Sequence, residues 1–536
     1  MKNEKPKKIE ISPEEIDRYK NLLDSRNYNS EEKEIMKAIL DLYRIFCFLL
    51  ELKNITVRRL QRLIFGAPTE KTKNVIKKED TASEESAVPD KEQSGSCTHD
   101  EKKKQCKGHG RNGADSYTGA QRIYVSLETL HAGDRCPECE KGNLYDTDNP
   151  GTMVSIVGNA PIQGTIYQLQ RLRCSTCCEV FSASPPEEGK KKYKESAGAM
   201  IELMKYGCGF PFYRLEKLQA GFGIPLPSST QWDIVEADAN RNYHVFEYMK
   251  KEAAQGDVLY NDDTIMKILI NMGINPDEPS RTGSFTTGIL SIKDGHKIAI
   301  FQTGRKHAGE NMNDLLRLRH PDRAPPIQMC DAASRNVPKD FLVILGNCNA
   351  HARRRFVDVA SCFPDECAYV LEIFTKVYSN DAVTKKKHMS PQERLLFHQE
   401  QSAPPMNELN SWLHEQFNEN KVEPNSGLGQ AITYMINHWH PLTLFLRVPN
   451  APLDNNICEQ SLKRAIQHRK NSLFYQTQVG AYVGDLFMSL IHTCTLCKVN
   501  PFEYLVMLQK YAHLTRKNPA AWMPWNYKKA LQSLAA

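Results

Sequence analysis

Apolar and polar positions change their rhythm several times along this chain. From Glu31 to about Leu63, residues Ile35, Ile39, Leu42, Ile45, Phe46 and Leu49 recur at spacings of three and four, and Gly66 and Pro68 stop the run. That is the period of one helix face. A face this apolar predicts a helix packed on a partner helix or on a second copy. Residues 69–115 then carry almost no large apolar side chain and are charged and Ser-rich. Such a composition cannot support a core and reads as a flexible linker. Residues 121–182 are short and β-like. Helical spacing resumes over 195–256 in ESAGAMIELMKYG, PFYRLEKLQAGFG and SSTQWDIVEADANRNYHVFEYMKKEA. From Asp257 the pattern switches to strand-like runs, VLYNDD, IMKILINM, SFTTGILSI and HKIAIFQTG. A helical GENMNDLLRLRH and two further strand-like runs, IQMCDAASRN and FLVILGNC, follow. Residues 350–450 are mostly helical. After Asp454 the chain stays helical to its end, with a break near Asn471–Gly480 and a final helix from Pro501. Strands clustered between helices predict a multidomain α/β protein with helical additions.

Composition narrows the class. At 536 residues, 25% charged and 40% hydrophobic, the chain has room for several domains and at least one sizeable core. No run approaches the ~18–20 apolar residues that span a bilayer. The basic N-terminus lacks the apolar segment of a secretory signal. A cytoplasmic chain with no membrane partner is therefore expected. The net charge of +6 is mild for this length. Local clusters say more: Lys102–Lys104, Lys190–Lys192, Arg353–Arg355, and the stretch from Ser461 to Phe474, which has four Lys or Arg residues and no carboxylate. Any one of them alone is ordinarily a solvated face.

Sixteen cysteines are many for such a chain, and without a secretory signal metal ligation is a better question than disulfides. Cys47, Cys208, Cys362 and Cys367 sit singly in apolar surroundings and read as small buried hydrophobes. Cys136 and Cys139 precede Cys174 and Cys177, with thirty-five residues from Cys139 to Cys174 and Cys178 as an alternative ligand. Two C-x2-C knuckles can close four thiolates around one structural Zn2+. A closed site of this kind folds a domain, here a zinc ribbon for nucleic-acid or protein contact. Cys97, His99, Cys106 and His109 in the linker fit no common metal template. Cys494 and Cys497 lie in an apolar helix with no second pair nearby, which favours core packing.

Three acids stand out by context. VLYNDDT brings Asp262 and Asp263 to the end of an apolar strand-like run, IQMCDAASRN does the same for Asp331, and Glu459 begins a basic helix-like stretch. Burial penalises charge unless a cation compensates. A single such Asp is most simply a turn or cap. Three together suit phosphodiester chemistry, in which hard divalent ions take carboxylate oxygens and two of them flank the reacting phosphate.

These segments resemble a bacterial transposase of the insertion sequence 66 family over nearly the whole chain after about residue 50. LQRLIFGAPTEK resembles the end of the family's N-terminal helix, and KGHGRNG with CPEC and CSTC its linker and zinc-binding segment. KYGCGFPFYRLEKLQAGFGIPLPSSTQWDIV resembles the helices leading into its catalytic domain. YNDDT, QMCDAASRN and LDNNICEQSLKRAIQHRKNSLF sit where the family has an Asp-Asp-Glu triad, which assigns Asp262 rather than Asp263, then Asp331 and Glu459. The triad separations are 69 and 128 residues, the second long enough for a helical insertion. NCNAHARRRF matches a further family block, in which Cys348 and His351 help position the active site. Ala-Ala after Asp331, where Gly-Tyr is frequent, and Asn349, where Trp is common, place the chain in a subgroup.

The resemblance implies a ribonuclease-H-like catalytic core at 190–490, with a helical insertion at about 355–450. It would follow an N-terminal helical region at 1–66 for DNA binding or oligomerisation, a linker at 67–115 and a zinc ribbon at 116–185. A C-terminal helical region would occupy 491–536. The implied activity is DNA cleavage at transposon ends and strand transfer into target DNA. Asp262, Asp331 and Glu459 would hold two Mg2+ or Mn2+ ions, with Asp263, Cys348 and His351 in support. Arg353, Arg354, Arg355, Lys463, Arg469 and Lys470 would face the DNA backbone. Implied partners are DNA, further copies of the chain and accessory proteins of the same element, in the bacterial cytoplasm. A nuclease on the same fold without strand joining and a non-catalytic zinc-containing DNA-binding protein are the alternatives.

Overall fold

The computed structural model describes residues 160–173, 180–271 and 283–535, with a few short stretches before them. Of the helix expected over 31–63, Lys33, Met36 and Lys37 are helical, and the rest lies outside the described residues. So do the linker, its Cys and His residues, Cys47, and the zinc candidates Cys136, Cys139, Cys174 and Cys177. In the β-like segment, Arg135 and Asn143 form an antiparallel bridge. Two short strands, β1 (Arg171–Arg173) and β2 (Val180–Ser182), pair antiparallel.

Three helices follow: α1 (Glu195–Glu202), α2 (Phe212–Gly221) and the long α3 (Ser228–Ala254). Then come the strands β3 (Val258–Met266), β4 (Ser284–Lys293) and β5 (His296–Gly304). After helix α4 (Ala308–Leu316) come β6 (Ile327–Cys330) and β7 (Ile344–Asn347). The five long-range strands form one sheet in the order β5-β4-β3-β6-β7. β5, β4 and β3 are an antiparallel meander, whereas β6 and β7 run parallel to β3. IMKILINM is not a strand of its own. Ile265 and Met266 finish β3, and Leu269–Asn271 make a single 3-10 turn. The backbone here pairs with the loop around Tyr475, through Tyr475 N–H to the Lys267 carbonyl at 2.8 Å and Leu269 N–H to the Tyr475 carbonyl at 2.9 Å. Those bonds bend it away from the sheet.

The strand period of two sorts side chains onto opposite faces. Leu259, Ile289 and Ile300 enter one core with α1, α3 and the C-terminal helices. Val258, Tyr260 and Leu290 enter a second core with the helices that follow β7. Those helices are α5 (Asn349–Val359), α6 (Pro364–Lys386), α7 (Pro391–Gln401), α8 (Ala403–Asn418), α9 (Gly427–Asn437) and α10 (Trp439–Leu442). Inside this group, buried Asp381 binds Arg394 at 2.8 Å and faces His398 and Lys385. Burial opposes its ionisation, but hydrogen bonds from His398 and Lys385 and the Arg394 charge outweigh burial and hold the carboxyl well below the usual range.

The chain closes with α11 (Asn456–Ser472), α12 (Gln478–Leu496), α13 (Pro501–Lys510), α14 (Ala512–Lys517) and α15 (Tyr527–Ala535). Between α11 and α12, Leu473 takes φ +67°, and Phe474 N–H bonds the Ser472 carbonyl at 2.8 Å. This three-residue turn is the expected break. Among the described residues α12 alone is long and apolar enough to cross a membrane, yet 72% of its apolar window is buried inside the protein. It covers the sheet edge. Asp485, Ser489 and Thr493, spaced by four on one helix face, accept the N–H groups of Thr303, Phe301 and Ala299 at 2.6, 2.9 and 3.1 Å. These three edge N–H groups of β5, which would otherwise be open to pairing, are thereby satisfied.

Candidate functional site

β3 continues beyond the acidic pair to Met266, so Asp262 and Asp263 lie within the strand and must point to opposite faces. Asp263 faces α4. Its carboxylate, 2% exposed, meets His307 Nδ1 at 3.1 Å and Arg335 at 3.4 Å. The second acid thus has an ion-pair anchor on the far face. Asp262 shares the face of Tyr260 and pairs across the strands with Gly288.

Asp331 directly follows β6. Its Oδ1 accepts the Ala333 N–H at 3.2 Å and the Asn336 side-chain amide. Glu459 stands in the first turn of α11, 26% exposed, with Oε1 3.6 Å from His351 Nδ1. Asp331 and Glu459 both come close enough to Asp262 for their charges to act on it. Burial pushes the Asp262 carboxyl up to about 7, the charges of Asp331, Asp263 and Glu459 add to it, and the Asp263 N–H at 2.8 Å opposes them.

Helix α11 reaches this position because Gly288 lets it approach. A Cβ at Gly288 would stand 3.1 Å from Leu462, and the Cys458 thiol donates to the Gly288 carbonyl at 3.4 Å. Asn455 occupies the N-cap position, but its side chain donates to the Asn261 carbonyl at 3.1 Å. Asp454 supplies the local cap instead, accepting Asn456 N–H at 3.1 Å.

Four buried amides that the sequence reading missed tie the three acid-bearing segments together. Asn261, beside Asp262, donates to the Asn336 carbonyl at 2.7 Å. Gln328, on β6, donates to Asn261 Oδ1 at 2.8 Å and to the same Asn336 carbonyl at 2.7 Å. Asn336 in turn holds Asp331, and Asn455 joins α11 to β3. All four are fully buried. For three of them the signal was legible: Asn261 and Gln328 interrupt otherwise apolar strands, and Asn455 flanks Asp454, whereas Asn336 sits in the turn after Asp331.

Cys348 caps α5, fully buried, and its Sγ accepts the Asn455 N–H at 3.2 Å. Burial pushes its thiol up to about 11, with that N–H opposing. Cys348, His351 and Glu459 offer ligand atoms that all lie within 4.8 Å of one another.

The basic residues divide. Lys463 and Lys470 are exposed on the outer face of α11. Arg469 is committed to the strand end, donating to Thr264 Oγ1 at 3.0 Å and to the Ile265 carbonyl. That makes it an anchor of α11 on β3. Arg355 lies over the Tyr434 ring with its guanidinium carbon 4.0 Å from the centroid, while Arg353 and Arg354 are half-buried. His468 is stacked between Tyr206 and Tyr475, and burial lowers its pKa to about 3, so it stays neutral. Of the lone cysteines, Cys367 is buried as expected, whereas Cys208 and Cys362 are exposed, lying in the turns after α1 and α5 where no core covers them. Cys494 is buried and Cys497 partly so.

Fold and site define a mixed-sheet α/β protein with carboxylates converging from two central strands and a later helix. The profile of the transposase IS66 family matches residues 190–482, more than half of the chain. The chain belongs to the transposase IS66 family. Relatives from Sinorhizobium fredii are similar to parts of it. The uncharacterized protein y4jD is 31% identical over 188 residues, 34% of this chain and 36% of its own length. The uncharacterized proteins y4hP and y4qI are 24% and 23% identical over 62% of this chain and 62% of their own lengths. The chain thus spans less than two thirds of the length of each of these relatives.

Proposed function

We propose that this protein is a DNA transposase whose Asp262, Asp331 and Glu459 form the catalytic triad. The observation that carries the reading is the convergence of these three acids inside the family-matched segment. The sheet order supports a ribonuclease-H-like core: an antiparallel meander, then two strands parallel to its first member, with one acid on that first strand and one after the next. The donor set suits hard divalent ions, because the oxygens are carboxylate and Glu459 Oε1 is buried without a hydrogen-bond partner. Asp262, Asp331 and Glu459 would hold Mg2+ or Mn2+. When bound, two such ions supply Lewis-acid stabilisation of the attacking and leaving oxygens in an in-line displacement at phosphorus.

The chain's own residues do the positioning. The amide network fixes Asp262 relative to Asp331, and Asn455 fixes the start of α11 relative to both. Lys463 and Lys470, exposed on the same helix as Glu459, offer charge to the phosphate backbone. Arg355 extends the basic surface from α5. The paired strands β1–β2 and the Arg135–Asn143 bridge flank the two C-x2-C pairs in sequence, which supports a zinc ribbon with one structural Zn2+. Homo-oligomerisation through the N-terminal helix and help from accessory proteins belong to the same reading.

The test is incubation of the purified chain with labelled transposon-end DNA, an unlabelled target and Mg2+. Cleaved ends and joined products are expected. Cleavage without joined products would favour a nuclease, and DNA binding with neither product a non-catalytic binding protein.

A further inference from the structure

We infer that Cys348, His351 and Glu459 form a second metal site, selective for Zn2+, which captures Glu459 away from the triad. The site begins with the helix that follows β7. A C-x2-H spacing across the first turn of α5 brings a thiol at the N-cap and an imidazole from that turn to one end of the helix. Glu459 arrives from the first turn of α11, the next helix beyond the insertion. Two atoms are left wanting a partner. His351 Nδ1 and Glu459 Oε1 are both buried and make no hydrogen bond, although they stand 3.6 Å apart. Were they a simple hydrogen-bonded pair, they would be closer than this.

The spacing suits a shared ion. Around a tetrahedral zinc with bonds of about 2.0–2.3 Å, donor atoms lie roughly 3.3–3.6 Å apart. The His351–Glu459 gap already matches, and Cys348 lies within 4.8 Å of both. The Cys348 sulfur also accepts the Asn455 N–H at 3.2 Å, the kind of outer hydrogen bond that orients a ligating thiolate. One thiolate, one imidazole and one carboxylate make a borderline-soft set that favours Zn2+ over Mg2+, whereas Asp262, Asp331 and Glu459 are all hard oxygen donors. On binding, the Cys348 thiol proton is released to solvent. Three protein ligands leave the fourth position open.

Glu459 cannot serve both sets at once. Zn2+ at this site therefore opposes Mg2+-supported cleavage by competition for one carboxylate. That inhibition rests on the function proposed above, whereas the binding itself does not.

Equilibrium dialysis of the full chain against Co2+ or Zn2+ separates the two, with Asp262→Asn, Cys348→Ser and His351→Gln run beside the wild type. Thermal melts confirm that each variant is folded. The wild type and Asp262→Asn should hold one ion per chain more than Cys348→Ser and His351→Gln. The Co2+–thiolate absorption should weaken in Cys348→Ser by that one site's share. Equal stoichiometry and equal absorption in wild type and His351→Gln, the milder and partly exposed change, would overturn the proposal. Should the wild type fail to cleave DNA yet hold the extra ion, the transposase reading falls and the zinc site stands. Cleavage that is unaffected by stoichiometric Zn2+ despite the extra ion would remove the competition.

Discussion

Gly288→Val tests whether the approach of α11 to the sheet sets the chemistry. Gly288 pairs with Asp262 across β3 and β4 and lies beneath Leu462, one turn along α11 from Glu459. A Cβ there would sit 3.1 Å from Leu462 Cγ and Cδ2. Carbon atoms rest at about 3.5–4.0 Å, so an Ala already asks α11 to retreat by roughly 0.4–0.9 Å, and the Val methyls ask for more. Overpacking of this kind costs about 1–3 kcal/mol of stability. Moving a reacting group by about 1 Å lowers rates roughly 10²-fold. The expected result is a modest fall in thermal midpoint with a much larger fall in single-turnover cleavage of labelled DNA under Mg2+. Leu462→Ala in the Gly288→Val background should recover a large part of the rate, because it removes the group being struck. Gly288→Val cleaving at the wild-type rate would show that the approach of α11 does not set the chemistry. A loss that Leu462→Ala leaves untouched would do the same.

Asp485 gives a pH signature. Burial raises its carboxyl to about 7 despite the two Thr303 donors. Its folded value lies above the unfolded one, so its stabilising contribution is fully present below about pH 4 and fades as pH rises to about 7. Asp485→Asn, which stays neutral, should gain on the wild type across that window in chemical denaturation, and a pH-independent difference would contradict this. Asp263→Asn should lower stability by about 1–3 kcal/mol through weakened bonds to His307 and Arg335, while cleavage stays within a few-fold. Loss of cleavage with unchanged melting would return Asp263 to the active site. Lys463→Ala and Lys470→Ala should each reduce the salt dependence of DNA binding by about one phosphate contact. Arg469→Ala should instead lower the melting temperature and leave that slope alone, which titrations at several salt concentrations can check.

Local pattern made much of this architecture readable. The apolar periods located the helices from α1 to α3 and the strands from β3 to β7. Two exceptions have physical causes. IMKILINM carries strand-like residues, but its backbone bonds to the loop at Tyr475, a partner about two hundred residues away that no local window contains. Cys208 and Cys362 have apolar neighbours in sequence but lie in turns, where neighbours do not amount to burial. At the site, the family resemblance had already chosen Asp262 over Asp263. What occupies the far face, His307 and Arg335, depends on where α4 and the segment after β6 return to the sheet. Arg469 looked like every other cation in its run until helix packing directed it to the end of β3. Asn261 and Gln328 were visible as polar residues in apolar runs, but only the fold reveals that they bind one another.

Substitution of the three acids tests the proposed triad. Purified Asp262→Asn, Asp331→Asn and Glu459→Gln should each bind labelled end DNA about as the wild type does and show no strand cleavage in Mg2+ or Mn2+. Wild-type cleavage rates in any of the three would remove that residue from the triad.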